Sequence, residues 1–253
     1  MSDIRLGGYN MLPPVVKNLI IINVLFYLAT MGLGKAFQID LSQYLGLHYF
    51  MSPDFQPYQI VTYMFMHSSY DFSHILFNMF ALWMFGSSLE NFWGPKRFLT
   101  YYMVAGVGAG VIQLITMYIT FTSLASGLTP EVIDIVKNEG TALLASGRNY
   151  ADPVLAGLNG ILNTNVVGAS GSVYGLLLAF GMIFPEALIY IYFLFPIKAK
   201  WFVVIFGAIE LFSGIRNSAS DNVAHFAHLG GMLFGFILIK IWQKNSFNNH
   251  RLY

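Results

Sequence analysis

The chain has 253 residues, 56% of them apolar, with only 13 basic and 12 acidic side chains and a mean hydropathy of +0.60. Soluble domains are about one-quarter charged, so this composition excludes an ordinary soluble globule and defines an integral membrane protein. A net charge of +1 without a basic tract argues against a nucleic-acid partner, and the lack of cysteine excludes disulfides, thiolate metal sites and a cysteine nucleophile.

Residues 1–15, MSDIRLGGYNMLPPV, are polar and Pro/Gly-rich, with neither a signal-peptide nor an Arg/Ser-rich transit pattern. The first membrane helix is therefore expected to act as its own insertion signal, and a bacterial cytoplasmic membrane is the expected location. Apolar runs long enough to cross ~30 Å of hydrocarbon fall at about 18–34, 73–93, 98–121, 166–184, 198–215 and 223–243. With the N-terminus inside, the inner segments hold Arg5, Lys17, Lys96, Arg97, Lys198, Lys200, Lys240, Lys244 and Arg251, and the outer ones Lys35, Lys137, Arg148 and Arg216. Nine against four places both termini in the cytoplasm. One domain is expected over 1–253: a short N-terminal segment 1–17, a transmembrane core of about 18–243 and a short tail.

Between the runs lie two long loops. The first, about 35–72, is rich in Phe, Tyr and Met and suits the membrane interface. The second, about 122–165, contains TPEVIDIVKNEGTALLASG, where Thr129 suits an N-cap and Pro130 the first helical position of a short amphipathic surface helix. Pro185 and Pro196 bracket ALIYIYFLF, too short to span and expected to form an interfacial turn or the start of the fifth helix.

Polar residues inside membrane runs are expensive and are functional candidates. His74 and Asn78 share a face of the second run, Ser170 heads the fourth within VVGASGSVYG, and His225 and His228 lie on the sixth. At ~1.5 Å per helical residue, Ser170 stands about 22 Å from Pro185, His228 about 18 Å from Lys240 and His74 about 24 Å from Glu90. The three groups thus lie near one level and can meet. A serine becomes a nucleophile at neutral pH when a histidine takes its proton, and the oxyanion that follows needs donors such as Asn, His or a backbone N–H. No third member is evident: Asp221 is about 10 Å up the helix from His228, and Glu210 in the fifth run has no assigned role. A Ser170–His228 dyad is therefore expected, with Tyr174 packing against the imidazole and the small residues Gly168 and Gly171 giving close approach. His225 is read as a neighbour of His228, and His67 as an anchor for the first loop. Glu90 is read as a partner for the 94–97 turn.

These residues stand in HILFN (74–78), ENFWG (90–94) followed by Arg97-Phe98, GASG (168–171) with Tyr174 and Gly175, and AHLGG (227–231). In that order and spacing the sequence resembles the rhomboid family of intramembrane serine proteases, from about Phe55 to Gly235. The resemblance implies an all-α membrane protein, a six-transmembrane-helix bundle with a water-filled cavity. It implies Ser170 as nucleophile, His228 as base, and Asn78 and His74 in the oxyanion hole, with Glu90 and Gly94 structural. It implies single-span membrane proteins as substrates within the lipid bilayer, and no cofactor or metal. Two other classes fit the sequence less well: a rhomboid-like pseudoenzyme that binds membrane clients, which would have lost Ser170 or His228, and a metal-dependent protein built on His67, His74, His225 and His228, which lacks an HExxH motif.

Overall fold

A computed structural model describes residues 9–191, 194–216 and 223–249. Helix α1 spans Pro14–Phe37, and its proline occupies the first turn, where no amide donor is lost. The first N–H groups of a helix lack intrahelical partners. Here they are satisfied from outside: Glu90 accepts from Val15 N at 3.0 Å and Val16 N at 2.8 Å. The carboxylate therefore caps α1 rather than the 94–97 turn, at the positive end of that helix's dipole. The chain before α1 is stitched to the same helix as Glu90. Asn10 and Asn91 exchange two hydrogen bonds, while Trp83 Nε1 and Ser87 Oγ both donate to the Met11 carbonyl. Glu90 is 2% exposed. We expect Glu90→Ala to leave buried donors unpaired at a cost of about 1–3 kcal/mol, read as a lower melting temperature in detergent with the α-helical circular dichroism of the native state retained.

The segment after α1 is compact and polar-bonded rather than a free loop. It contains α2 (Leu41–Leu45), β1 (Leu47–His48), α3 (Gln59–Thr62) and a 3₁₀ turn at Tyr63–Phe65. Fully buried Gln59 is its hub. Its amide donates to the carbonyls of Tyr44 and Asp54, and its oxygen accepts from His48 N and Gln56 N. Asp71 then caps α4 (Phe72–Trp93) by accepting from Ser73 N at 2.9 Å. Gly94, with φ 78°, turns the chain into α5 (Pro95–Ala125). A methyl there would meet nothing, so glycine answers a left-handed backbone rather than a lack of space.

At 31 residues, α5 is about 46 Å long, more than the hydrocarbon requires. Its last turns carry Met117 and Phe121 into a second apolar cluster with Tyr49, Val136, Leu158 and Leu162. The insertion that covers them has two helices, α6 (Pro130–Ala145) and α7 (Pro153–Asn163). Only α6 is evident from the amino-acid pattern. The signal for α7 is Asp152, which accepts from Val154 N and Leu155 N, followed by proline at the first position. Asn163 locks the pair, donating to the Val136 carbonyl at 2.9 Å and accepting from Thr141 Oγ1 at 2.9 Å.

After β2 (Asn165–Val166), which pairs antiparallel with β1, come α8 (Ser170–Ile183), a hairpin of β3 (Leu188–Ile191) and β4 (Phe195–Lys198), α9 (Ala199–Arg216) and α10 (His225–Asn249). The stretch between the prolines is thus a strand pair, not a helix start. Its aromatic and β-branched residues favour extended backbone. Glu186 ties its base, 2.8 Å from Lys198 and also paired with Lys200.

The protein is an all-α membrane protein. Four helices, α1, α4, α5 and α10, are long and apolar enough to cross a bilayer. The fourth and fifth expected runs correspond to α8, with 14 residues, and α9, which carries Lys200, Glu210 and Arg216. Outward faces bear large apolar side chains such as Leu25, Leu28, Phe77 and Phe212, as lipid contact requires. The interior holds Tyr63, Tyr101 and Tyr102 beside Leu82, Leu89, Phe98 and Leu176, with small residues of α5, α8 and α10 at the helix contacts.

Candidate active site

Ser170 is the first residue of α8, so its side chain stands at the end of a helix whose leading N–H groups are unpaired. The chain reaches it through Gly168, whose φ of 137° only glycine adopts without strain and whose N–H donates to the Tyr63 carbonyl at 3.0 Å. Tyr63 itself donates to the Gly106 carbonyl at 2.7 Å, so the first loop and α5 fix the turn that presents the serine.

The meeting of α8 with α10 depends on missing side chains. A methyl at Gly231 would fall 1.9 Å from the Gly171 carbonyl oxygen, and one at Gly171 would fall 2.4 Å from Ala109 Cβ. Further along, Gly175 faces Ala105 and accepts from Tyr101 Oη at 2.8 Å. This backbone contact carries His228, one helical turn before Gly231, to the serine: His228 Nε2 lies 2.8 Å from Ser170 Oγ. Tyr174, one turn beyond Ser170, stacks on the imidazole with centroids 4.2 Å apart and an interplanar angle of 8°.

The other imidazole nitrogen also has a partner. Glu210 Oε2 lies 2.9 Å from His228 Nδ1 and 2.7 Å from His225 Nδ1, and Tyr174 Oη donates to Glu210 Oε1. A dyad without a third group was expected, and here the arrangement differs. Asp221 lies outside the described residues, whereas Glu210, which the sequence reading left without a role, sits against the histidine. A signal was available. Glu210 is a buried acid in an apolar helix, and it stands about 15 Å above Lys200, within a turn of the height worked out for His228. With Nδ1–H donated to the carboxylate, the lone pair of Nε2 is free to accept the Ser170 hydroxyl proton.

His74 borders the serine across Gly168, and Asn78 stands one turn further along α4. A methyl at Gly168 would be 2.9 Å from His74 Nε2 and 3.3 Å from Ser170 Oγ, so these two atoms border one small space above the glycine. Asn78, 7% exposed, donates one amide hydrogen to the His74 carbonyl at 2.8 Å. His67 packs edge-on against His74, centroids 5.1 Å apart, and burial pushes its pKa down to about 3, so this loop residue is neutral. Among the described residues, the histidine and carboxylate atoms close enough to share an ion are those of Glu210, His225 and His228, all within 4.8 Å of one another. His67 and His74 are not part of that group.

A serine hydroxyl aimed at an imidazole, with a carboxylate behind it, thus lies inside a bundle of apolar helices. The Rhomboid domain model matches residues 54–245, and the chain belongs to the rhomboid family. It is 27% identical over 199 residues to an uncharacterized mitochondrial rhomboid protein of Schizosaccharomyces pombe, covering 71% of this chain and 50% of that one. The mitochondrial RHOMBOID-like protein 12 of Arabidopsis thaliana is 26% identical over 71% of this chain and 45% of its own length. The mitochondrial Rhomboid protein 1 of Saccharomyces cerevisiae is 25% identical over 70% and 41%. The chain thus spans half or less of the length of these relatives.

All three are mitochondrial, which overturns the expected bacterial cytoplasmic membrane with both termini in the cytoplasm. That expectation rested on the character of the first 15 residues. Bilayers differ by only a few ångströms in thickness, so helix length and hydropathy do not tell one membrane from another.

Proposed function

We propose that this protein is a serine endopeptidase that cleaves single-span membrane proteins in or near a mitochondrial membrane, with Ser170 as nucleophile and His228 as general base. The observation that carries this reading is the 2.8 Å approach of Ser170 Oγ to His228 Nε2. As Oγ attacks the scissile carbonyl carbon, its proton passes to Nε2. The tetrahedral oxyanion then collapses, the C–N bond breaks, and the imidazolium protonates the leaving amine. Water, deprotonated by the same nitrogen, attacks the acyl-serine ester and releases the carboxyl product with Ser170 regenerated. The oxyanion is received on the Gly168 side by the Ser170 N–H, His74 Nε2–H and the second amide hydrogen of Asn78.

Burial of the site supports membrane-level chemistry. Helix α8 is about 21 Å long and falls short of ~30 Å of hydrocarbon. With its far end at one interface, Ser170 lies below the other. A peptide bond reaches it only where a substrate helix unwinds, because helical hydrogen bonds otherwise shield the carbonyl.

The test is reconstitution of the chain in liposomes with a panel of single-span membrane proteins, with products identified by mass spectrometry. Cleavage at a single bond is expected. Stable association with a client and no cleavage, across the panel, would instead identify a non-catalytic binder. Within the same assay, Asn78→Ala is expected to lower turnover on the order of 10²-fold. An unchanged rate would remove Asn78 from the oxyanion site.

A further inference from the structure

Glu210 is a buried acid in a helix that otherwise buries only Ala199 and Val203, and the Ser170–His228 reaction as written above does not use it. Two imidazole nitrogens and a phenol converge on its two oxygens: His228 Nδ1 and His225 Nδ1 on Oε2, and Tyr174 Oη on Oε1. An ionised carboxylate only accepts, so beside one each Nδ1 carries the proton. An ionised carboxylate in an apolar bundle is otherwise costly, and such residues mark function rather than stability.

We propose that Glu210 is the positioning residue of the catalytic pair, completing a Ser170–His228–Glu210 relay of contacts through His228 Nδ1. Resting on the protease reading, it assigns to the carboxylate two tasks. It holds the proton on Nδ1, which leaves Nε2 able to accept from Ser170. It also stabilises the imidazolium formed when Oγ attacks, the state in which the interaction between opposite charges is strongest. His225 and Tyr174 hold the carboxylate in place from α10 and α8, so His225, set aside in the sequence reading as a neighbour, acts through Glu210.

The same three residues form the ion-sized cluster noted above, and the distances separate the two readings. Ligands of a tetrahedral zinc, each at 2.0–2.2 Å from the metal, stand about 3.3 Å from one another. The histidine nitrogens lie 2.7 and 2.9 Å from a single oxygen, which are hydrogen-bond separations.

Glu210→Gln tests the proposal. The amide oxygen still faces the histidines, and the amide NH₂ faces Tyr174 Oη, which accepts as readily as it donates, so the site keeps its shape and loses its charge. The readout is labelling of the full chain by a fluorescent fluorophosphonate across probe concentrations, alongside the melting temperature. We expect the limiting rate constant to fall on the order of 10⁴-fold, with half-saturating concentration and melting temperature unchanged, and Glu210→Asp to recover part of the lost rate. Wild-type labelling kinetics in Glu210→Gln would overturn the proposal. So would a loss in Gln that the Asp variant does not recover and that tracks a lower melting temperature, which would make Glu210 scaffold. A wild-type rate that changes on dialysis against a chelator would make the cluster a metal site instead. No labelling of wild type would overturn both this inference and the protease reading, whereas normal wild-type labelling with an unaffected Gln variant overturns the inference alone.

Discussion

Ser170→Ala is expected to abolish peptide-bond cleavage while leaving the fold intact. In the proposed mechanism Oγ is the atom that forms the covalent bond to the substrate. In serine proteases of other folds, loss of the nucleophile lowers kcat by about 10⁶-fold, and an effect of that order is expected here. Stability should change little. Ser170 heads α8 without capping it through its side chain, and the close contacts that join α8 to α5 and α10 are made by Gly171, Gly175, Ala105 and Gly231. Turnover in reconstituted liposomes and the melting temperature in detergent check the two halves of this statement together. A variant that melts normally and still cleaves at near the wild-type rate would exclude Ser170 as nucleophile.

His228→Ala is expected to be about as damaging. In the proposed mechanism the imidazole acts in both half-reactions, taking the Oγ proton in acylation and the water proton in deacylation, so neither survives its loss. Because the two groups act as one unit, removing both should cost no more than removing either. Turnover of the double variant equal to that of Ser170→Ala would express this coupling, and additive losses would show two independent contributions. The histidine variant differs in one respect. It removes a donor from buried Glu210 and the stacking partner of Tyr174, so a modest drop in melting temperature is expected as well.

Much of this was legible in the sequence because bilayers constrain sequences strongly. Helix-length apolar runs gave the spans to within about a turn at α1, α4 and α5 and at the start of α10, which runs six residues past the expected end at 243, and depth arithmetic along the runs put Ser170, His228 and His74 at one level. Two features were harder to see, for different reasons. The hairpin of β3 and β4 is too short for any periodicity to separate strand from helix, and only pairing decides it. Glu210 was missed because the sequence reading looked for a carboxylate near His228 along the chain, at Asp221. The group that reaches Nδ1 comes instead from the neighbouring helix, a contact set by the glycine-mediated closeness of the bundle rather than by spacing. Glu90 was assigned to its nearest turn by the same preference for local partners, whereas its carboxylate reaches a helix more than seventy residues away. In each case the error lay in tertiary proximity, not in the chemistry of the residue.

The most direct measurement of the central claim is fluorophosphonate labelling of the detergent-solubilised protein followed by peptide mapping, comparing wild type with Ser170→Ala and His228→Ala. A phosphonyl adduct on Ser170 of the wild type, absent from both variants, is the result expected if His228 activates this serine. A folded wild type that takes up no label, or one labelled equally well without His228, would contradict it.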